Sequence, residues 1–415
     1  MSRVQNPISD AELERRWAAA RAAMRDHGID ALVMQNDNDW LGGTVKYFTD
    51  IPALNGYPRS VIFHADDLMS VIDNGGFGVA RKLDGKDPVH RGVGEILCTP
   101  AFLSIGYTNR YDGELAADVL QRRGYRKIGL VREGAIPHGF VAALRDRLGD
   151  VLVDATDLVD EIKAIKSPEE INLIRAATDL QDRLYALVLE KIRPGMRDID
   201  IIACAEQEGL RLGSEQGIFL GGSAPLGQRS SFLGRHLQGR TIEAGDNFSL
   251  LIEINGPGGF YTEIARTMVF GKASSELLEG FAAVKEAQDH TLSLLRPGAD
   301  PAAIAAAHDD FMRARPAPRT ATLCPRPGLR HGGTSADPTR RNHEIGRQYV
   351  PGSAPGVRAR YPVFGDMRQL HDYVTRYKRV PAQNAETDIR IVEAKEESSF
   401  LKKRSKKLLS IKDSR

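Results

Sequence analysis

The stretch GDNFSLLIEINGPGGFYTEIARTMVFG, residues 245–271, decides how the second half of the chain folds. After the turn Glu243-Ala244-Gly245-Asp246 come two runs of strand-forming residues, 248–254 and 260–270. The linker Asn255-Gly256-Pro257-Gly258-Gly259 joins them, and its glycines and proline are the punctuation expected between paired strands. The pair therefore predicts a β-hairpin. Glu253, Glu263 and Arg266 are the charged residues within it. A carboxylate in a strand either faces solvent or belongs to a site, and both readings stand at this point.

Upstream of the hairpin, helical and loop signals alternate. In IKAIKSPEEINLIRAA, residues 162–177, Ser167 is a natural N-cap and Pro168 takes the first helical position. Glu169 and Glu170 then complement the positive end of the helix dipole. A long amphipathic helix should run to about residue 191, where Arg193-Pro194-Gly195-Met196 ends it. A second helix is predicted over 198–212, and a polar loop through His236 leads into the hairpin. Downstream, 274–295 and 300–314 read as helices.

The first 160 residues alternate between the two periods. Residues 10–27 carry Leu13, Trp17, Ala20, Ala23 and Met24 on one stripe, and Gly28 stops that helix. Short strands are predicted at 31–34, 60–63, 68–72 and 127–131, with helices at 114–122 and 139–147. This alternation implies a mostly parallel, layered α/β domain. Gly75, Gly76 and Gly78 mark a turn and not a phosphate loop, because no Lys-Ser/Thr follows them.

Bulk composition narrows the partners. The 57 basic and 55 acidic residues leave a net charge of +2, which gives no reason to expect nucleic acid or an anionic membrane. Cys98, Cys204 and Cys324 are scattered and odd in number, as suits a reducing compartment. The polar opening MSRVQNPISDAELERRW lacks the apolar core of a signal peptide, so a cytoplasmic location is expected.

Four pieces together carry a resemblance: RRWAAARAAMRDHGIDALVM (15–34), the IKAIKSPEEINLIRAA junction, the IRPGM turn (192–196) and the hairpin itself. In that order they resemble peptidase family M24, which includes creatinase, prolidase, Xaa-Pro aminopeptidase and methionine aminopeptidase. The resemblance covers roughly residues 10–314. It implies an α/β N-terminal domain over 1–160 and an α+β pita-bread catalytic domain from 161, read here as far as 315. It further implies a homodimer and a hydrolase that cleaves a C–N bond in a small peptide or amidine-like substrate.

The same resemblance implies two divalent ions of the Mn, Co or Zn type, held by two Asp, one His and two Glu. Glu263, three residues before Arg266, stands where the family has its second aspartate. The first aspartate would fall on Ile252, so Glu253 is its nearest substitute, one residue off, with Asn255 a weaker one. His236 matches a histidine that the family keeps near the substrate. In creatinase that histidine is the proposed acid/base group and no metal is used, so a metal-free hydrolase through His236 is the alternative, and an inactive substrate-binding homologue another. Arg266 is read as a structural ion-pair partner.

Beyond residue 315 the pattern breaks. Residues 316–361 are rich in arginine and proline with no strand or helix period, and 401–407 are a plain basic run. Such sequence is what GC-rich DNA gives out of frame. Shifted by one base, with permitted codons, 315–330 can be recast as GLPPERRLYAHGQGYD, 331–340 as MVERPLIRRD and 348–357 as NMCLAVHPGY. A frameshift near codons 315–316 is therefore expected, with residues 316–415 an aberrant tail and the activity of the chain as written impaired. The recast segments still differ from the family at three of its five ligand positions.

Overall fold

The computed structural model describes residues 5–36, 43–54, 56–296 and 298–314, with two dipeptide strands at 363–364 and 390–391. The remainder of the tail read as out of frame lies outside the described residues.

The first domain opens with helix α1 (Asp10–His27), capped by the Ser9 hydroxyl, which accepts from the Glu12 N–H, and closed by Gly28 at φ 63°. There follow β1 (Ala31–Asn36), α2 (Thr44–Thr49), β2 (Arg59–His64), β3 (Met69–Asn74), β4 (Ala80–Lys82) and β5 (Val93–Thr99). Next come α3 (Tyr111–Arg123), β6 (Ile128–Leu130), α4 (His138–Leu148), β7 (Leu152–Asp154) and α5 (Thr156–Ala164). The strands form one sheet in the order β4-β5-β3-β2-β1-β6-β7.

Three of its pairings are parallel and three antiparallel, which corrects the expected mostly parallel sheet to a mixed one. For β2 and β3 the cause is their short link. Four residues cannot make a crossover, so those strands must run antiparallel. Alternation along β1 sends Leu32 and Met34 into one core with α1, α2 and α5, and Ala31 and Val33 into another with α3 and α4. Helix α5 packs Val159 into the first of these, so the junction read at residue 160 falls inside a helix.

After β8 (Ile165–Lys166) the second domain begins with α6 (Pro168–Lys191), capped as read from the sequence. The Ser167 hydroxyl accepts from Glu170 N, and the Glu170 carboxylate accepts from Ser167 N. Helix α7 (Asp198–Leu212), β9 (Gly217–Ala224), β10 (Asn247–Asn255), β11 (Tyr261–Val269), α8 (Ser275–Leu294) and α9 (Pro301–Arg313) follow. Strands β9, β10 and β11 are antiparallel neighbours; β12 (Val363–Phe364) lies beside β8 and β13 (Arg390–Ile391) beside β11. Phe248, Leu250, Ile252 and Ile254 of β10 pack with Leu184 and Val188 of α6 and Ile201 and Ile202 of α7. Burying each such side chain contributes roughly 1.5–3 kcal/mol.

The domains meet around Arg16, one of the largest fully buried side chains. Its guanidinium lies 2.8 Å from Glu12, 2.9 Å from Glu170 and 4.4 Å from the Tyr47 ring centre. The α6 cap thus doubles as a contact to the first domain. No helix of the described residues is long and apolar enough to cross a membrane.

Candidate functional site on the β10–β11 hairpin

Side chains on a strand alternate between faces, so the apolar face of β10 fixes where its polar residues point. Ile252 is fully buried against the helices, paired with Ile264, and its carbonyl accepts from the Gln181 Nε2 of α6 at 2.6 Å. The position one residue on, Glu253, therefore turns to the opposite face. There its direct cross-strand partner is Glu263. The count along the sequence left the first carboxylate one residue off; the register places both glutamates opposite one another on one face.

Two like charges so placed oppose ionisation. Burial first, and the Glu253 charge second, push the Glu263 carboxyl above its ordinary value. Four residues along the same face, about 13 Å at strand rise, Ser249 and Thr267 are also direct partners. Their hydroxyls lie 3.2 Å apart, and Ser230 of the preceding loop is 2.8 Å from Ser249. The sequence reading missed this hydroxyl row. Its signal was parity, since 249 and 253, like 263 and 267, share a face.

The other candidates separate by role. Asn255 is fully buried, and its carbonyl accepts from the backbone N–H of Glu215 and Gln216 and from the Ser214 hydroxyl. Those bonds fix the end of the hairpin and occupy its acceptor. Arg266 lies on the helix-facing side, where its charge draws down an Asp182 carboxyl that burial raises more strongly. His236 sits exposed on a short 3₁₀ turn, Arg235–Leu237, beside the Arg235–Glu206 ion pair. No hydrogen bond or ion pair joins it to either glutamate among the described residues. The loop carrying it is tied to β9 by Gly221 N donating to Leu233 O at 3.2 Å.

Two carboxylates are suitable oxygen donors for a divalent cation, but they do not make a site alone. Protein-held metals of this kind take three or more donors. Among the described residues there is no group of three or more His, Cys, Asp or Glu able to hold a metal ion. The histidine and later glutamates that the resemblance calls for fall on the tail, outside the described residues. The described donor set therefore does not fit a dinuclear centre.

The sequence profile of metallopeptidase family M24 matches residues 172–357, taking in α6, α7, the hairpin and part of the tail. Over that span the chain is similar to the M24 family. The matched span runs past residue 315, where the sequence loses its period. The chain is 25% identical over 318 residues to the probable dipeptidase PepE of Mycobacterium tuberculosis, covering 73% of this chain and 76% of that protein. It is 26% identical over 204 residues to the ectoine hydrolase of Halomonas elongata, covering 46% and 51%. The X-Pro aminopeptidase structure from Thermotoga maritima superposes with a TM-score of 0.56 at 16% identity, over 72% of this chain and 77% of that one. That likeness establishes the pita-bread fold. The relatives are named peptidases and hydrolases, which supports reading the chain as a hydrolase.

Proposed function

We propose that this chain is a hydrolase of the creatinase/proline-peptidase type, cleaving a C–N bond in a small peptide or amidine-like substrate. The observation that carries the reading is the Glu253–Glu263 pair, facing across the hairpin on which the family resemblance puts metal-binding aspartates, one at Glu263 and the other one residue before Glu253. In this reading the glutamates are metal ligands that replace those aspartates, and His236 is the acid/base or substrate-binding group. The family's name as a metallopeptidase and the PepE dipeptidase relative favour the peptidase form.

The ectoine hydrolase relative favours keeping a second reading, a metal-independent creatinase-type hydrolase acting through His236. In this reading the protein works in the cytoplasm as a homodimer, with activity impaired in the chain as written by a frameshift near codons 315–316. Resequencing the DNA there tests the last point; a frame unbroken and shared with relatives through the tail would overturn it. The frame-restored protein, assayed on Xaa-Pro dipeptides with and without Mn²⁺, Co²⁺ or Zn²⁺, separates the readings. Metal-dependent turnover supports the peptidase, and turnover with metal chelated supports the creatinase type. Neither result, in a folded protein, reduces it to an inactive substrate-binding homologue.

A further inference from the structure

The first domain contains a second polar centre, remote in the fold from the glutamate hairpin. Strands β1 and β6 are parallel neighbours, yet the chain leaves them on opposite sides of the sheet. After β1 it enters α2, which packs Val45 and Phe48 into one core; after β6 it enters α4, which packs Phe140 and Leu144 into the other. Such a divergence opens a crevice beyond the carboxyl ends of the strands, the place where open α/β sheets take ligands. A cavity of about 190 Å³ lies there, with Gln35 and Asn36 at the end of β1 on one side and Gly134–Pro137 after β6 on the other. That is far above the roughly 15 Å³ that one water needs on such a measure.

The polar wall of this crevice is unbalanced. Gln35 donates through Nε2 to Ser60 Oγ at 2.8 Å and to Asp112 Oδ2 at 2.9 Å, which uses both of its N–H groups. Its Oε1 and the Asp112 Oδ1 are buried and accept no hydrogen bond. Gln35 is 6% exposed and Asp112 3%. The guanidinium of Arg59, on the neighbouring strand β2, is committed to Asp73 at 2.8 Å and to the Pro52 carbonyl. Two buried acceptors thus stand without a donor, one on Gln35, which lines the cavity with Pro58, Leu103 and Ile136, and one on the Asp112 carboxylate hydrogen-bonded to Gln35.

We propose that this crevice binds a small organic cation, a primary ammonium or amidinium head on a short apolar stem. Its N–H donates to Gln35 Oε1, the Asp112 carboxylate behind supplies the opposing charge, and the stem lies against Pro58, Leu103 and Ile136. An anionic ligand is opposed by the same carboxylate and by Asp73, whose charge already acts on Asp112.

The test is an amide-shift NMR titration of the full chain with butylammonium and pentanamidinium chlorides, beside 1-pentanol and pentanoate as neutral and anionic controls. The expected result is saturable binding of the cations alone, with shifts centred on Gln35 and residues 134–136. Asp112→Asn should weaken it tenfold or more. Ala135→Trp, at an exposed position on the rim, should block it. Pentanol binding as well as the cations do, an Asp112→Asn variant of unchanged affinity, or no saturable binding by any probe would overturn the proposal; the last leaves a cavity that holds ordered water only.

Discussion

A carboxylate directly opposite another on neighbouring strands is a repulsive pair that a merely structural hairpin has no reason to keep. Glu263 is half-buried and its proton is held more tightly than usual, by burial first and by Glu253 second. Replacing Glu253 with Gln should lower the Glu263 titration midpoint towards the ordinary range, but not fully, because burial remains. Carboxyl carbon shifts followed by NMR would show this, and an unmoved midpoint would mean that the two side chains do not face one another. Asp112 is the stronger case: burial first, then Asp73, raise it to about 7. A carboxyl raised in the folded state stabilises fully below its unfolded pKa, and that contribution is lost as pH rises through the folded one. Asp112→Asn should therefore match the parent near pH 4 and exceed it in urea stability above pH 7, by on the order of 3 kcal/mol. Equal stabilities at pH 8 would refute the burial argument. These residues show what a sequence withholds. Glu253 and Glu263 were legible as carboxylates in strands, but only the register shows that Glu253, and not Ile252, pairs with Glu263. Asp112 gave no signal, since its environment is built by β1, β2 and β3.

Among the elements, α6 and the hairpin were the most legible, because their signals are local. Ser167, Pro168 and Glu170 spell the start of a helix, and the Asn255–Gly259 linker spells a turn; both formed as read. Helices α2 and α5 and strands β4, β5, β7, β8 and β9 were not read. The sequence VGEILCT of β5 owes its strand state to pairing with β3 and β4, a long-range effect that periodicity does not carry. The hairpin turn also has a tertiary role that its glycine signal conceals. A Cβ on Gly256 would lie 2.5 Å from the Ala177 Cβ and 2.6 Å from its Cα, both on α6. Gly256→Ala should thus lift the turn off the helix and cost about 1–3 kcal/mol in denaturant unfolding. A loss below 0.5 kcal/mol would show that the turn does not seat the hairpin on α6.

For the whole molecule, the succession of helices and strands was legible as far as α9 because the periods alternate in a fold-specific order. The parallel character of the first sheet was overestimated, since alternating signals do not reveal which links are too short to cross over. The tail was legible only as an anomaly, through its arginine and proline content and its recasting one base away. In the proposed function the hairpin face is the reactive face of a hydrolase. The most direct test compares Xaa-Pro dipeptide hydrolysis by the frame-restored protein, supplied with Mn²⁺, with that of its Glu263→Gln variant, both checked for an intact fold by circular dichroism. The account predicts turnover by the parent and a loss of roughly 10²-fold or more in the variant. Equal rates for the two proteins, or a folded and metal-supplied parent that cleaves no such dipeptide, would contradict it.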